Sequence, residues 1–176
     1  MTRRLLAVVL LAAVAGSVAA AFTLRFEMPK GWVPKAPSSS MRVAEFVLPK
    51  ADGDTEDATL TVYSFPGGGG TVDANLERWI AQMSQPDGKP SKGVAKTSTM
   101  TSTAGVKMTL VDVPGTYVAE VSPGSTERFN KPGFRLRAAV VEATPSPYYI
   151  KLTGPEKTVL KWDESYASFL KSIRVE

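Results

Sequence analysis

Residues 148–176 read YYIKLTGPEKTVLKWDESYASFLKSIRVE, and the fold turns on how this stretch divides. Tyr148, Ile150 and Leu152 alternate with Tyr149, Lys151 and Thr153, the period of a strand that buries one face. After Thr153 the period becomes helical. Thr153 and Glu156 have the spacing of a capping box, Pro155 falls in the first turn, and Lys171 and Arg174 suit the negative end of a helix dipole. Val159, Trp162, Tyr166, Phe169, Leu170 and Ile173 share one stripe, so the helix must lie against a sheet or another helix to bury its aromatic rings.

Outward from this unit the chain alternates strands with turns. Phe22, Leu24, Phe26 and Met28 mark an amphipathic strand ending at Pro29, and Gly31-Trp32 stands in a turn before a Pro/Ser loop over 34–40. Residues 41–49 (MRVAEFVLP) and 58–65 predict a hairpin joined by the acidic turn 51–57. Pro66 and Gly67, Gly68, Gly69 and Gly70 break the sheet before an amphipathic helix capped by Thr71 or Asp73, whose stripe is Val72, Leu76, Trp79, Ile80 and Met83. A Ser/Thr-rich edge strand is expected over 94–103, then a bent strand over 106–121 and a loop over 122–133. Phe134, Leu136, Ala138 and Val140 open a last hairpin that leads back to Tyr148. The expected class is α+β: a single domain with a mostly antiparallel six- or seven-stranded sheet covered by two long helices.

Composition narrows the chemistry. A basic Thr2-Arg3-Arg4, an apolar run over 5–14 and the small residues 17–21 have the layout of a secretory signal peptide. Cleavage is expected to leave residues 22–176 as one exported domain, periplasmic or extracellular, with no stable membrane span. The net charge of +4 includes Arg3 and Arg4, so the remaining domain holds about +2, and capture of nucleic acid is not indicated. The chain has no cysteine and no histidine. That removes a lipid-anchored cysteine, disulfides, Cys-His and Ser-His catalytic pairs, the usual zinc sites, and haem or iron-sulfur ligation. No cofactor is expected.

The order of elements, the Pro29-x-Gly31-Trp32 turn, the Met41-Arg42-x-Ala44-x-Phe46 strand and the closing Gly154-Pro155 helix with Phe169-Leu170 resemble the Mog/PsbP-like α/β/α sandwich over nearly all of residues 22–176. The resemblance implies a seven-stranded antiparallel sheet between helices. It also implies a role in protein interaction, since one member binds a small GTPase and the plant members support photosystem II. None of its motifs supplies a functional residue.

Several groups offer candidate chemistry. Asp52, Asp54, Glu56 and Asp57 form an oxygen-rich loop of the kind that holds calcium, although Asp57 and Tyr63 stand where an EF-hand requires Gly and Glu, and a solvated hairpin turn explains the loop as well. The four glycines before a helix lack the Lys-Ser/Thr of a phosphate loop. Ser168 and Lys171 have Ser-x-x-Lys spacing without its companion motifs. Asp112 interrupts an apolar run, where a carboxylate can act in proton transfer or simply cap the turn at Pro114. Arg128, Lys131, Arg135 and Arg137 form a basic cluster near the 122–133 loop, and Trp32 beside a Pro/Ser loop is expected to be partly exposed as a partner contact. The leading expectation is an exported non-enzymatic binding or assembly domain, its partner a protein or envelope component and its contacts on loops 32–40 and 122–133. The alternatives are a small-ligand or calcium-binding carrier, and a hydrolase using carboxylates or Ser168/Lys171.

Overall fold

In a computed structural model, residues 23–65 and 67–176 are described. The signal segment, and with it the expected cleavage, lies outside them. The strand that opens the deciding stretch, β9 (Tyr148–Pro155), is central. It lies antiparallel between β4 (Ala58–Ser64) and β8 (Lys131–Val141) and buries side chains on both faces, not on one. β4 continues to β3 (Arg42–Leu48) and the three-residue edge β2 (Val33–Lys35). β8 continues to the long strand β7 (Lys107–Tyr117), along which β6 (Lys96–Thr101) and the two-residue β5 (Met83–Ser84) pair at successive positions. Among the described residues the sheet has eight strands, every pairing antiparallel. Two of its strands that the sequence did not predict, β2 and β5, are very short. A two- or three-residue strand shows no alternation to read.

Because successive side chains of a strand point to opposite faces, the core divides in two. Phe46, Leu60, Val62, Ile150 and Leu152 lie on one face with Val159, Phe169, Leu170 and Ile173. Val111, Val113, Leu136, Ala138, Val140 and Tyr149 lie on the other with Leu76 and Trp79. The helices are shorter than expected. The first, α1 (Val72–Ile80), starts as read: Thr71 Oγ1 accepts from the Ala74 N–H at 3.2 Å. Met83, expected on its stripe, belongs instead to β5 opposite Tyr117.

The closing helix is two segments, α2 (Glu156–Lys161) and α3 (Asp163–Ser172). At the break the Trp162 N–H bonds to the Val159 carbonyl, and the indole N–H donates to the Pro49 carbonyl at 2.9 Å. The capping box also fails. β9 runs through Pro155, so Thr153 is held in the sheet ladder against Thr59 and Leu136, and Glu156 is drawn to Arg135. Asp54, from the distant acidic turn, takes over the cap by accepting from the Thr158 N–H at 2.9 Å and from its hydroxyl. The last residues leave the helix: β10 (Arg174–Val175) pairs with β1 (Leu24–Arg25), which among the described residues is all of the expected amino-terminal strand that joins a ladder.

Trp32 corrects the expectation of exposure. It is 4% exposed, its ring centroid 5.2 Å from Phe169 and 5.7 Å from Phe46, and its N–H donates to Ser165 Oγ at 3.1 Å. The Pro29-x-Gly31-Trp32 turn is therefore a device for aiming an indole at α3, and Trp32 has no face left for a partner. Removing a buried indole costs about 3–5 kcal/mol. Trp32→Ala is expected to lower the unfolding free energy by that amount in urea titration, where an exposed contact residue would change it by only about 0.5 kcal/mol.

Candidate functional site

The expected basic cluster is mostly an internal brace. Phe134 and Leu136 occupy the α1 face of β8, so Arg135 and Arg137 point to the opposite face, toward α2 and α3. Arg135 grips both carboxylate oxygens of Asp112 at 2.7 and 2.9 Å and reaches Glu156 at 2.7 Å. Arg137 shares Asp112 at 3.2 Å and pairs with Asp163. The two arginine side chains are only 15% and 12% exposed. The Asp112 hydrogen bond is the main reason that the guanidinium of Arg135 is held above its ordinary pKa. Asp112 is thus a bidentate anchor, with its oxygens occupied by guanidinium groups. Lys131 pairs with Glu56 at 2.5 Å, and the more exposed Arg128 pairs with Glu120 at 3.6 Å.

The acidic loop is also tied to the rest of the chain. Asp54 caps α2, Asp57 accepts from the Lys50 N–H at 2.8 Å, Glu56 binds Lys131, and Asp52 offers its backbone carbonyl to Lys157. The carboxylates of Asp54, Glu56 and Asp57 are directed at separate partners, and among the described residues no group of three or more potential ligands is arranged around a metal position. Ser168 Oγ donates to the Glu164 carbonyl one helical turn back at 2.9 Å, which is the ordinary bond of a serine on a helix surface. The glycine loop packs rather than cradles: a Cβ on Gly69 would stand 2.4 Å from the Tyr149 hydroxyl oxygen, and the Gly69 carbonyl accepts from Asn75.

What the structure brings together was, apart from Arg128, not among the candidates. On the α1 face of β9, Tyr149 is covered by α1, but the helix stops at Ile80 and Lys151 lies beyond it. Lys151 Nζ donates to Gln82 Oε1 at 2.6 Å and Tyr117 Oη at 2.8 Å, and lies 4.9 Å from the Tyr117 ring centroid. No ion pair joins it to a carboxylate among the described residues. It forms the floor of a cleft of about 720 Å³, walled by Arg78 of α1, Arg42 and Tyr63 of the sheet, and the 119–129 segment. That segment is a small antiparallel turn, with the Phe129 N–H bonded to the Ala119 carbonyl at 2.9 Å. The one carboxylate in the lining, Glu120, is paired with Arg128.

Burial, and then the like charges of Arg78 and Arg42, lower the Lys151 pKa to about 8. Burial and then Tyr63 push that of Tyr117 up to about 12. This is a cationic, ring-lined site suited to holding an anion. The available signal was Lys151 itself, the only charge in a strand otherwise rich in large apolar residues.

Two measurements follow from these placements. Asp54→Ala is expected to lose about 1 kcal/mol of stability, the worth of a helix cap, equally with and without calcium in urea titration. For Lys151, the unfolded chain keeps its proton up to about pH 10.5, the ordinary value, while the folded chain releases it near 8. Between those values the unfolded state binds more protons, so this lysine's contribution to stability rises with pH. The stability difference between the wild type and Lys151→Met is expected to shift in favour of the wild type from pH 7.5 to 10, read by urea titration at each pH.

No protein-family model matches the chain, and no curated protein sequence does. Solved structures do. One is the crystal structure of LpqN, involved in cell envelope biogenesis of Mycobacterium tuberculosis, with a TM-score of 0.50 and 10% identity over 88% of this chain and 84% of that one. Another is the solution structure of the cyanobacterial PsbP (CyanoP) from Synechocystis, with a TM-score of 0.45 and 11% identity over 94% of this chain and 99% of that one. The Mog half of the resemblance rests on sequence pattern alone. At such identities the likeness to LpqN is one of fold: an α+β domain with a mainly antiparallel sheet.

Proposed function

We propose that residues 22–176 form an exported binding or assembly domain without a catalytic centre of its own. It engages a protein or envelope component through the end of the molecule where the 119–129 segment, the last turn of α1 and Lys151 meet. The observation that carries this reading is the contrast between two sets of cations. Lys131, Arg135 and Arg137 are matched to internal carboxylates, whereas Lys151 and Arg78 have no ion pair among the described residues and converge, beside the Glu45-paired Arg42, on an open cleft whose one carboxylate is already paired. Such a surface attracts acidic partners and orients them on approach. The segment carrying Arg128 belongs to the loop expected from sequence to make contacts, so Arg128 remains in the proposed surface while Trp32 leaves it.

An envelope role fits this reading, as LpqN shares the fold and is described as involved in cell envelope biogenesis. No helix among the described residues is long and apolar enough to cross a membrane. The nucleophile-base pair that sequence allowed, Ser168 and Lys171, lies on an exposed helix surface with its hydroxyl bonded to the backbone, which supports a binding role over hydrolysis.

Arg78 and Arg128 are exposed, so reversing their charge leaves folding nearly unchanged. The wild-type domain is expected to capture the same component repeatedly from the exported and envelope fractions. The Arg78→Glu/Arg128→Glu double variant is expected to lose at least about 80% of that capture, as removal of two attractive charges implies. Capture unaffected by the double variant, no reproducible capture, or turnover in a hydrolase panel overturns the proposal.

A further inference from the structure

The Lys151 cleft does not end at the lysine. Beside it opens a recess of about 150 Å³, lined by the rings of Tyr63, Phe65, Trp79 and Tyr149 together with Arg78, Gln82 and Lys151. Tyr63, Arg78, Gln82 and Lys151 line both spaces, so the recess and the larger cleft are contiguous. The rings are set as walls: Tyr63 and Phe65 stack within 7° of parallel, and Tyr149 is tilted against Phe65 at 5.4 Å. The Tyr149 hydroxyl is buried with no hydrogen-bond partner among the described residues. An apolar space of about this volume accepts a molecule the size of benzene.

The geometry points to this cleft as the binding site of a small aromatic acid, its anionic head against Lys151 and Arg78 and its ring in the recess beside Phe65, Trp79 and Tyr149. The inference deepens the reading of the cleft as the working end of the domain and rests on it. Three facts select the ligand. A largely buried ammonium held by two neutral oxygens, those of Gln82 and Tyr117, has the desolvation cost of a charge without the compensation of an opposite one, and an entering carboxylate or phosphate supplies it. Arg78 and Arg42 add positive potential at the same mouth, with Arg42 already tied to Glu45 and Arg78 held by the neutral amide of Asn75. A ring-lined recess beside the cations rewards an apolar body and offers nothing to a bare inorganic anion. An anionic head and a planar body on one small molecule satisfy both halves.

Occupancy should depend on pH through Lys151. The charged and titratable groups facing it are Arg78 from α1, Arg42 and Tyr63 from β3 and β4, Tyr117 from β7, and Glu120 and Arg128 from the 119–129 segment. Of these, Tyr117 is displaced upward, away from the range in which Lys151 loses its proton. An anionic ligand therefore binds the protonated amine below about pH 8 and loses that interaction above it.

The test is calorimetry on the folded protein with benzoate, phenyl phosphate, acetate, inorganic phosphate and benzyl alcohol at pH 6.5 and 9.5. Benzoate or phenyl phosphate is expected to bind at pH 6.5 at least about tenfold more tightly than acetate, inorganic phosphate or benzyl alcohol, as burial of a ring implies. Affinity is expected to fall by about tenfold or more at pH 9.5, and by as much in Lys151→Met, since either change removes the charge. The exposed Arg78→Ala, which leaves the core untouched, is expected to weaken binding by about fivefold or more, so the proposal stays testable if Met is not tolerated at 151.

Failure of both aromatic acids to bind overturns the inference. So does inorganic phosphate binding as tightly as phenyl phosphate, benzyl alcohol as tightly as benzoate, or full affinity in the variants or at pH 9.5. Capture of an envelope component without acid binding removes the ligand and keeps the proposed function; acid binding without capture keeps the ligand and removes the larger partner.

Discussion

A strand flanked on both edges and covered on both faces can hold a charge only where its cover stops. β9 is such a strand, paired with β4 and β8, with Ile150 and Leu152 under α2 and α3 and Tyr149 under α1. The rest of the architecture follows from covering it. The closing helix has to fold straight back over the sheet, which leaves no room for a side-chain cap of its own, and the acidic turn supplies one in the form of Asp54. The helix on the other face is only nine residues long, and the place where it ends is where Lys151 is found.

The charged residues divide by the same geometry. On the face under α2 and α3, cations and carboxylates lie close enough to neutralise one another, and Asp112 with Arg135 and Arg137 ties the two central strands to both helical segments. Partly buried guanidinium groups require such partners, and their bidentate geometry fixes register as much as it adds stability. On the other face the carboxylates are few. Glu45 is buried against Ser38 and Arg42, and Glu120 is turned to Arg128, so the field around Lys151 stays positive. A domain with little net charge thus concentrates positive potential at one end.

The succession of the longer strands along the chain, the central hairpins, the solvated edge at β6 and an α1 cap at Thr71 or Asp73 were legible in the sequence, because each depends on a local period or a single capping residue. The three errors that matter have one origin. Trp32 follows a turn and a Pro/Ser loop, surroundings that look exposed, yet the positive φ of 90° at Gly31 aims the chain so that the indole lands on Phe169, 137 positions away. The capping box at Thr153 and Glu156 lost to sheet pairing and to Arg135. The basic cluster looked like a surface because its carboxylates, Glu56, Asp112, Glu156 and Asp163, are distant in sequence.

Sequence by itself determined the α+β class, the antiparallel hairpins, the absence of histidine and cysteine chemistry, and which side chains of each strand share a face. These depend on residue type and on periods a few residues long. Tertiary structure alone decided which charges cancel and which stay open, since a charge is neutralised by whatever lies within a few ångströms and not by its neighbours along the chain. For the stretch 148–176 the difference comes down to Lys151. Alternation placed it on the face of Tyr149, but only the length of α1, the position of Tyr117 and the pairing of the lining carboxylate Glu120 with Arg128 made it the floor of a cationic cleft.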